Sequence, residues 1–232
     1  MNIKIFAQTK KQIEAELQAF ENKTEKHFNE IEEINKMYNQ EYVNNKSSDL
    51  YEKYNQLTVD TNNHIKAIYG ELVTSSKNII TTFFAMPINS DLKATLDLIE
   101  KSDLTAYELY QYMKALEAKP FALRYLKNTI DYNTLLDATE AFNSEELREF
   151  NKMLDNLQGI KTLDEYIFKL NELTSDFNIN VDVVIQNIIQ KYKGKSTTAD
   201  EINFDINKKL LYSYIEEVKE LLDNLNALST IE

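Results

Sequence analysis

Two stretches, "TEKHFNEI" from Thr24 and "TNNHIKAI" from Thr61, hold the only histidines of the chain, His27 and His64. Both read Thr-x-x-His-apolar-x-x-Ile. Imidazoles can ligate metals and move protons near neutral pH. With Glu30 or Glu71 nearby, the pair would make a zinc site if two helices brought them together. The di-iron pattern of helical bundles requires Glu three residues before His. Thr24 and Thr61 occupy those positions, and HExxH is absent. The plainer reading is a polar layer of Thr24, His27, Thr61 and His64 inside a helical pairing. Such a layer weakens the pairing and fixes its register. A turn centred between Asn45 and Lys46 would set His27 against His64, and Ile34 against Leu57.

Other chemistry finds little support. Gly70, Gly159 and Gly194 stand far apart, so there is no glycine-rich phosphate loop, and no GxSxG nucleophile turn occurs. "QKYKGKSTT" gathers Lys191, Lys193 and Lys195 around Gly194. It could hold one phosphate or an acidic partner, although a solvated loop is the better reading. The net charge is −12, and Arg124 and Arg148 are the only arginines. Both features oppose nucleic acid as a primary ligand. No catalytic residue, metal ligand or cofactor site is assigned. With no Cys, disulfides and thiolate sites are excluded.

The elements that would carry these residues are helical. Only 3 Gly and 2 Pro occur, too few for the turns of a sheet protein this long. Ile13, Leu17, Phe20, Thr24, His27, Ile31, Ile34 and Tyr38 recur at alternating steps of four and three, which is a coiled-coil seam. "VNNKSS" reads as a turn, with Asp49 and Glu52 as a capping box opening the second helix. A second seam runs through Leu50, Tyr54, Leu57, Thr61, His64, Ile68, Leu72, Ser75 and Ile79 until Pro87. Residues 1–87 are therefore expected to form an antiparallel hairpin, with projecting arms of ~45 Å at 1.5 Å per residue.

Residues 88–232 are expected to form a body of short helices. Thr105 with Glu108, Asn143 with Glu146, Thr162 with Glu165 and Thr198 with Glu201 read as further capping boxes. Separate helices are expected over 163–177 and 180–194. A long amphipathic helix over about 200–229 carries the seam Leu211, Tyr214, Val218, Leu221, Leu225 and Leu228. Residues 1–87 hold 10 Lys and 12 Asp+Glu, a net of −2; the remainder holds 16 Lys+Arg and 26 Asp+Glu, a net of −10.

The expected class is all-α, and the expected role is non-enzymatic, through protein–protein contact. Candidate contact residues are Phe83, Phe84 and Met86, Tyr42 and Tyr51 near the hairpin tip, and Val218, Leu221 and Leu225 on the C-terminal seam. Self-association or hetero-assembly is expected, with the C-terminal seam as the contact. An acidic, Cys-free chain with projecting coiled coils suits a phage or prophage scaffold, inner-core or accessory virion component. The rival readings are a helical enzyme or metal-binding bundle at the two histidines, and an acidic regulator that binds a basic partner. No stretch has the length of a membrane span or the pattern of a secretory signal, so a cytoplasmic or virion-associated place is expected.

Overall fold

The computed structural model describes residues 4–38, 40–85, 90–102, 104–116, 122, 125–126, 141–158, 161–194 and 198–227. Most of these residues fall in seven helices: α1 Lys4–Met37, α2 Gln40–Phe84, α3 Ser90–Lys101, α4 Ala106–Leu116, α5 Ser144–Gln158, α6 Leu163–Tyr192 and α7 Thr198–Ala227. The protein is all-α, and the described residues contain no strand.

Internal contacts divide the chain into two units. One contains residues 1–75 and 169–219; the other contains 76–168 and 220–232. This division does not coincide with the boundary expected at 87, because residues 169–219 share a unit with the hairpin. Helices α2, α6 and α7 each contribute to both units.

The first unit is a four-helix bundle of α1, α2, α6 and α7 running alternately up and down. The α1–α2 pairing is antiparallel: the Tyr54 hydroxyl donates to Thr24 Oγ1 at 3.0 Å, and Glu16 lies 4.0 Å from His64 Nε2. Between α2 and α6, Lys66 Nζ reaches Asp182 at 2.7 Å while Tyr69 stacks on Phe177 with ring centroids 3.8 Å apart. Burial works to raise Asp182, but hydrogen bonds from Lys66 and Asn62 outweigh it and hold the carboxyl below its ordinary range. The Asn180 side chain donates to the Asn207 carbonyl at 2.8 Å, which sets α6 against α7. Lys10 sits over the Tyr212 ring at 5.0 Å, which ties α1 to α7. These polar contacts are mostly at the edges. They fix register more than they add stability, since exposed pairs contribute only ~0–1 kcal/mol each.

The first seam is buried as the spacing predicts, from Ile13 through Ile34, and Phe6 and Thr9 extend it towards the N-terminus. Tyr38 leaves the seam and stands 51% exposed. The second seam is displaced. After Thr61 the buried face continues at Ile65, Tyr69, Leu72, Ser76, Ile80 and Phe83, leaving His64 and Ile79 outside. The row turns towards the helices that Tyr69 meets: its ring stacks on Phe177 of α6, and its hydroxyl donates to the Tyr214 carbonyl of α7 at 3.4 Å. Steps of four from Thr61 to Ile65 to Tyr69 turn the stripe towards them.

The turn also differs from expectation. α1 ends at Met37 and α2 begins at Gln40, so "NNKSS" and the Asp49–Glu52 pair lie inside α2. Asn and Ser are poor but tolerated helix formers, costing less than ~0.7 kcal/mol each. The long hairpin pairing outweighs that preference. Likewise α6 is one continuous helix across "FNIN", where two were expected; no Gly or Pro interrupts it, and Asn180 finds its partner on α7.

In the second unit, the boxes opening α4 and α5 are formed reciprocally. Thr105 N donates to Glu108 at 2.9 Å and Glu108 N to Thr105 Oγ1 at 3.2 Å, and Asn143 and Glu146 repeat the exchange. Thr162 and Glu165 do the same at the start of α6. α4 packs on α5 through Tyr107, Tyr110, Phe142 and Phe150, whose rings lie 5.0–6.0 Å apart. Tyr110 donates to Glu149, and this bond together with Lys114 holds the Glu149 carboxyl low against burial. Of the body of short helices expected over 88–232, residues 117–121, 123–124, 127–140 and 159–160 lie outside the described residues.

Candidate functional site

The end of the α1–α2 hairpin is where the sequence candidates and the structure converge. Glu21 of α1 accepts from Lys191 at 2.7 Å in the last turn of α6, and α6 ends at Tyr192. α7 starts at the same end, at Thr198. From about Phe28 to Met37, α1 therefore continues past the other two helices, paired with the first turns of α2. At 1.5 Å per residue this arm is ~15 Å long. The hairpin does project, but by about a third of the ~45 Å expected, because the rest is bundled. Met37, Tyr38 and Tyr51 on the arm are 67%, 51% and 43% exposed. The side chain of Tyr42 lies outside the described residues.

His27 sits at the foot of the arm. Its ring stacks on Tyr54, with centroids 4.2 Å apart and planes 6° off parallel, and it meets the edges of Phe28 and Tyr51 at 5.2 and 5.7 Å. Nε2 is buried with no hydrogen-bond partner. Burial lowers the His27 pKa below 6.5, and Glu30 opposes that shift without cancelling it. Beneath His27, Thr24 is fully buried and accepts from Tyr54; burial raises the Tyr54 phenol. Phe20 stacks on the far side of Tyr54 at 6.2 Å. The foot of the arm is thus an aromatic stack with one imidazole in it.

The four-residue Thr/His layer is not formed as expected. Thr24, His27 and Thr61 are buried, while the His64 side chain is 60% exposed beside Glu16. The two histidines do not face each other. With α1 ending at Met37 and α2 beginning at Gln40, Thr24 meets Tyr54, and His64 falls opposite Glu16, about 11 residues along α1 from His27. The shared frame gives different outcomes because α1 steps by three from Thr24 to His27, while α2 steps by four from Thr61 to Ile65. Among the described residues, no group of three or more His, Asp or Glu is placed to hold a metal ion.

The other candidates are distributed differently. Val218 is 0% exposed in the bundle, and Leu221 and Leu225 are buried in the second unit, so the C-terminal seam is internal packing. Phe83 is buried and Phe84 half-buried, 5.9 Å from Tyr166; Met86 lies outside the described residues. Lys191 is committed to Glu21 and lies 5.3 Å from the Tyr192 ring. Lys193 is exposed, and Gly194 takes φ 67°, the left-handed conformation that ends a helix. Lys195 is outside the described residues.

In comparisons with known proteins, no family model, curated protein or solved structure matches the chain. The arm and its aromatic foot therefore carry the functional reading on their own geometry. Among the described residues, no helix is long and apolar enough to cross a membrane. The sequence reading missed one surface, a row of exposed isoleucines and leucines on α6 and α7. Its signal was present as Ile202, Ile206 and Leu210, a row with a period of four beside the main seam.

Proposed function

We propose that this is a non-enzymatic assembly protein that works by protein–protein contact, with the projecting arm as the contacting element. The observation that carries this is the exposure of Met37, Tyr38 and Tyr51 on a helical pair that continues past α6 and α7. Tyrosine is favoured at interfaces because one end is apolar and the other tolerates water. The acidic, Cys-free composition together with the projecting arm suits a scaffold, inner-core or accessory component of a phage or prophage particle. The reading of an enzyme or metal protein at the histidines has less support, since His27 is enclosed by aromatic rings and His64 is exposed beside Glu16.

The test is the double variant Tyr38→Ser, Tyr51→Ser in the full chain. Aromatic anchors at interfaces contribute on the order of 2 kcal/mol each. Cross-linking mass spectrometry in the native source should recover a partner through the arm with the wild type. That recovery should fall by at least about tenfold in the variant, with the fold intact and stability lowered only by the lost Tyr51–His27 edge contact, ~0.5–1.5 kcal/mol. Equal recovery by both, or cross-links that avoid residues 28–51, would overturn the assignment to the arm. Metal analysis of the purified protein checks the rival, and a stoichiometric metal would favour it.

A further inference from the structure

Five large apolar side chains of the four-helix unit stand between 38% and 61% exposed on α6 and α7: Ile179, Val183, Ile202, Ile206 and Leu210. They form one patch. The Asn180–Asn207 bond and the Phe177–Tyr214 ring contact, 6.2 Å apart, place Val183 level with Ile206 and Ile179 level with Leu210. Glu217 lies two turns after Leu210, so it shares that side of α7, and it reaches Lys169 of α6 at 3.9 Å. Val183 lies about four turns after Lys169, on the side of α6 that faces α7. The two rows therefore adjoin on the outer face of the helix pair. The patch exposes on the order of 400 Å², a size that marks interaction surfaces on soluble proteins.

We propose that this face is a two-fold interface with a second copy of the chain. The charge beside the patch argues for a copy over an unrelated partner. Asp205 and Lys209 are both exposed, one turn apart, along the edge of α7 away from α6. When a helix packs antiparallel on its own copy, the same edges meet. Pairing about Ile206 sets Ile202 against Leu210 of the copy. It also brings Asp205 within a turn of Lys209 of the copy, and the reverse. The edge is thus complementary to itself in the one arrangement that closes the apolar row. The patch would supply about half of the ~800 Å² that each partner buries in a standard interface, in line with the apolar share of such interfaces. The four-helix unit holds 16 Lys against 20 Asp+Glu, a net of −4, so repulsion between two such faces is modest. The interface deepens the assembly reading but does not depend on the arm.

Sedimentation of the full chain over a concentration series tests it. The wild type should be a dimer, and Ile206→Glu with Leu210→Glu should weaken it by about a hundredfold or more, the size expected for burying unpaired charges. The circular dichroism spectrum of the variant should match that of the wild type, because both side chains are at least partly exposed and the fold does not depend on them. Asp205→Lys should weaken the dimer, and adding Lys209→Asp should restore it. The Tyr38→Ser, Tyr51→Ser variant should remain dimeric, which separates this interface from the arm. A wild type that stays monomeric, a dimer indifferent to the Ile206 and Leu210 changes, or one lost only with the arm variant would overturn the proposal.

Discussion

Replacing Val218 with Glu is expected to unfold the four-helix unit, not to dissociate an assembly. Val218 has no exposed surface, and it lies on α7 between Ile215 and Leu221 of the same buried row. A carboxylate there would have no partner. Leaving a charge buried and unpaired costs at least ~3 kcal/mol, a large part of the total stability of a domain. The expected readings are a lower helical signal at 222 nm and a broadened or absent melt. Ile206→Glu makes the same chemical change on α7 at a side chain 56% exposed, so it should leave the fold intact. Equal melting of the two variants would contradict the packing of α7.

The second large effect concerns His27. Burial holds its folded-state pKa below 6.5, so folding favours the neutral ring. The sign follows from linkage: the stability is fully present above the unfolded pKa of about 6.5 and is lost as pH falls from there towards the folded value. The groups facing the ring are the Tyr51 and Tyr54 phenols from α2, and Thr24, Phe28 and the opposing charge of Glu30 from α1. None offers Nε2 an acceptor. His27→Leu should therefore remove the loss between pH 7 and 5.5 and add about 1 kcal/mol at neutral pH. That net figure sets relief of an unpaired polar atom, ~1–3 kcal/mol, against the lost ring stacking of ~0.5–1.5 kcal/mol. His64→Gln, at an exposed site, should leave the profile as it is. Denaturant melts at several pH values read both. A profile that follows His64 and not His27 would reject the account of the arm's foot.

How much is legible in the sequence depends on how regularly each helix spaces its buried row. The α1 seam is legible residue by residue, from Ile13 to Ile34, because its spacing of three and four is regular and α1 presents one stripe. The capping boxes at Thr105, Asn143 and Thr162 are legible for a different reason: they are local exchanges that need no tertiary information. The expected α2 seam fails from His64 onward, because the buried row steps by four to Ile65 and Tyr69, and the Tyr69 ring meets Phe177 of α6. The turn is hidden because Asn44, Asn45, Ser47 and Ser48 prefer turns, yet the pairing of α1 with α2 holds them helical. The single length of α6 is hidden by the same kind of local signal at "FNIN". Of the candidate site, Tyr51 and His27 stand out in the sequence. The enclosure of His27 by Tyr54 and Phe28 does not, since ring stacking depends on register, and register depends on where the turn falls.

Hairpin register is the claim on which the arm, its exposed tyrosines and the His27 stack all depend. The chain contains no cysteine, so introduced pairs report on register without background. Glu16→Cys with His64→Cys places thiols where the side chains lie 4.0 Å apart. His27→Cys with His64→Cys places them about 11 residues apart along the hairpin, ~17 Å. A short bifunctional thiol reagent applied to the folded protein should link the first pair rapidly within one chain and leave the second unlinked. Rapid linkage in the second double variant, with none in the first, would put the turn back at Asn45–Lys46 and contradict the account.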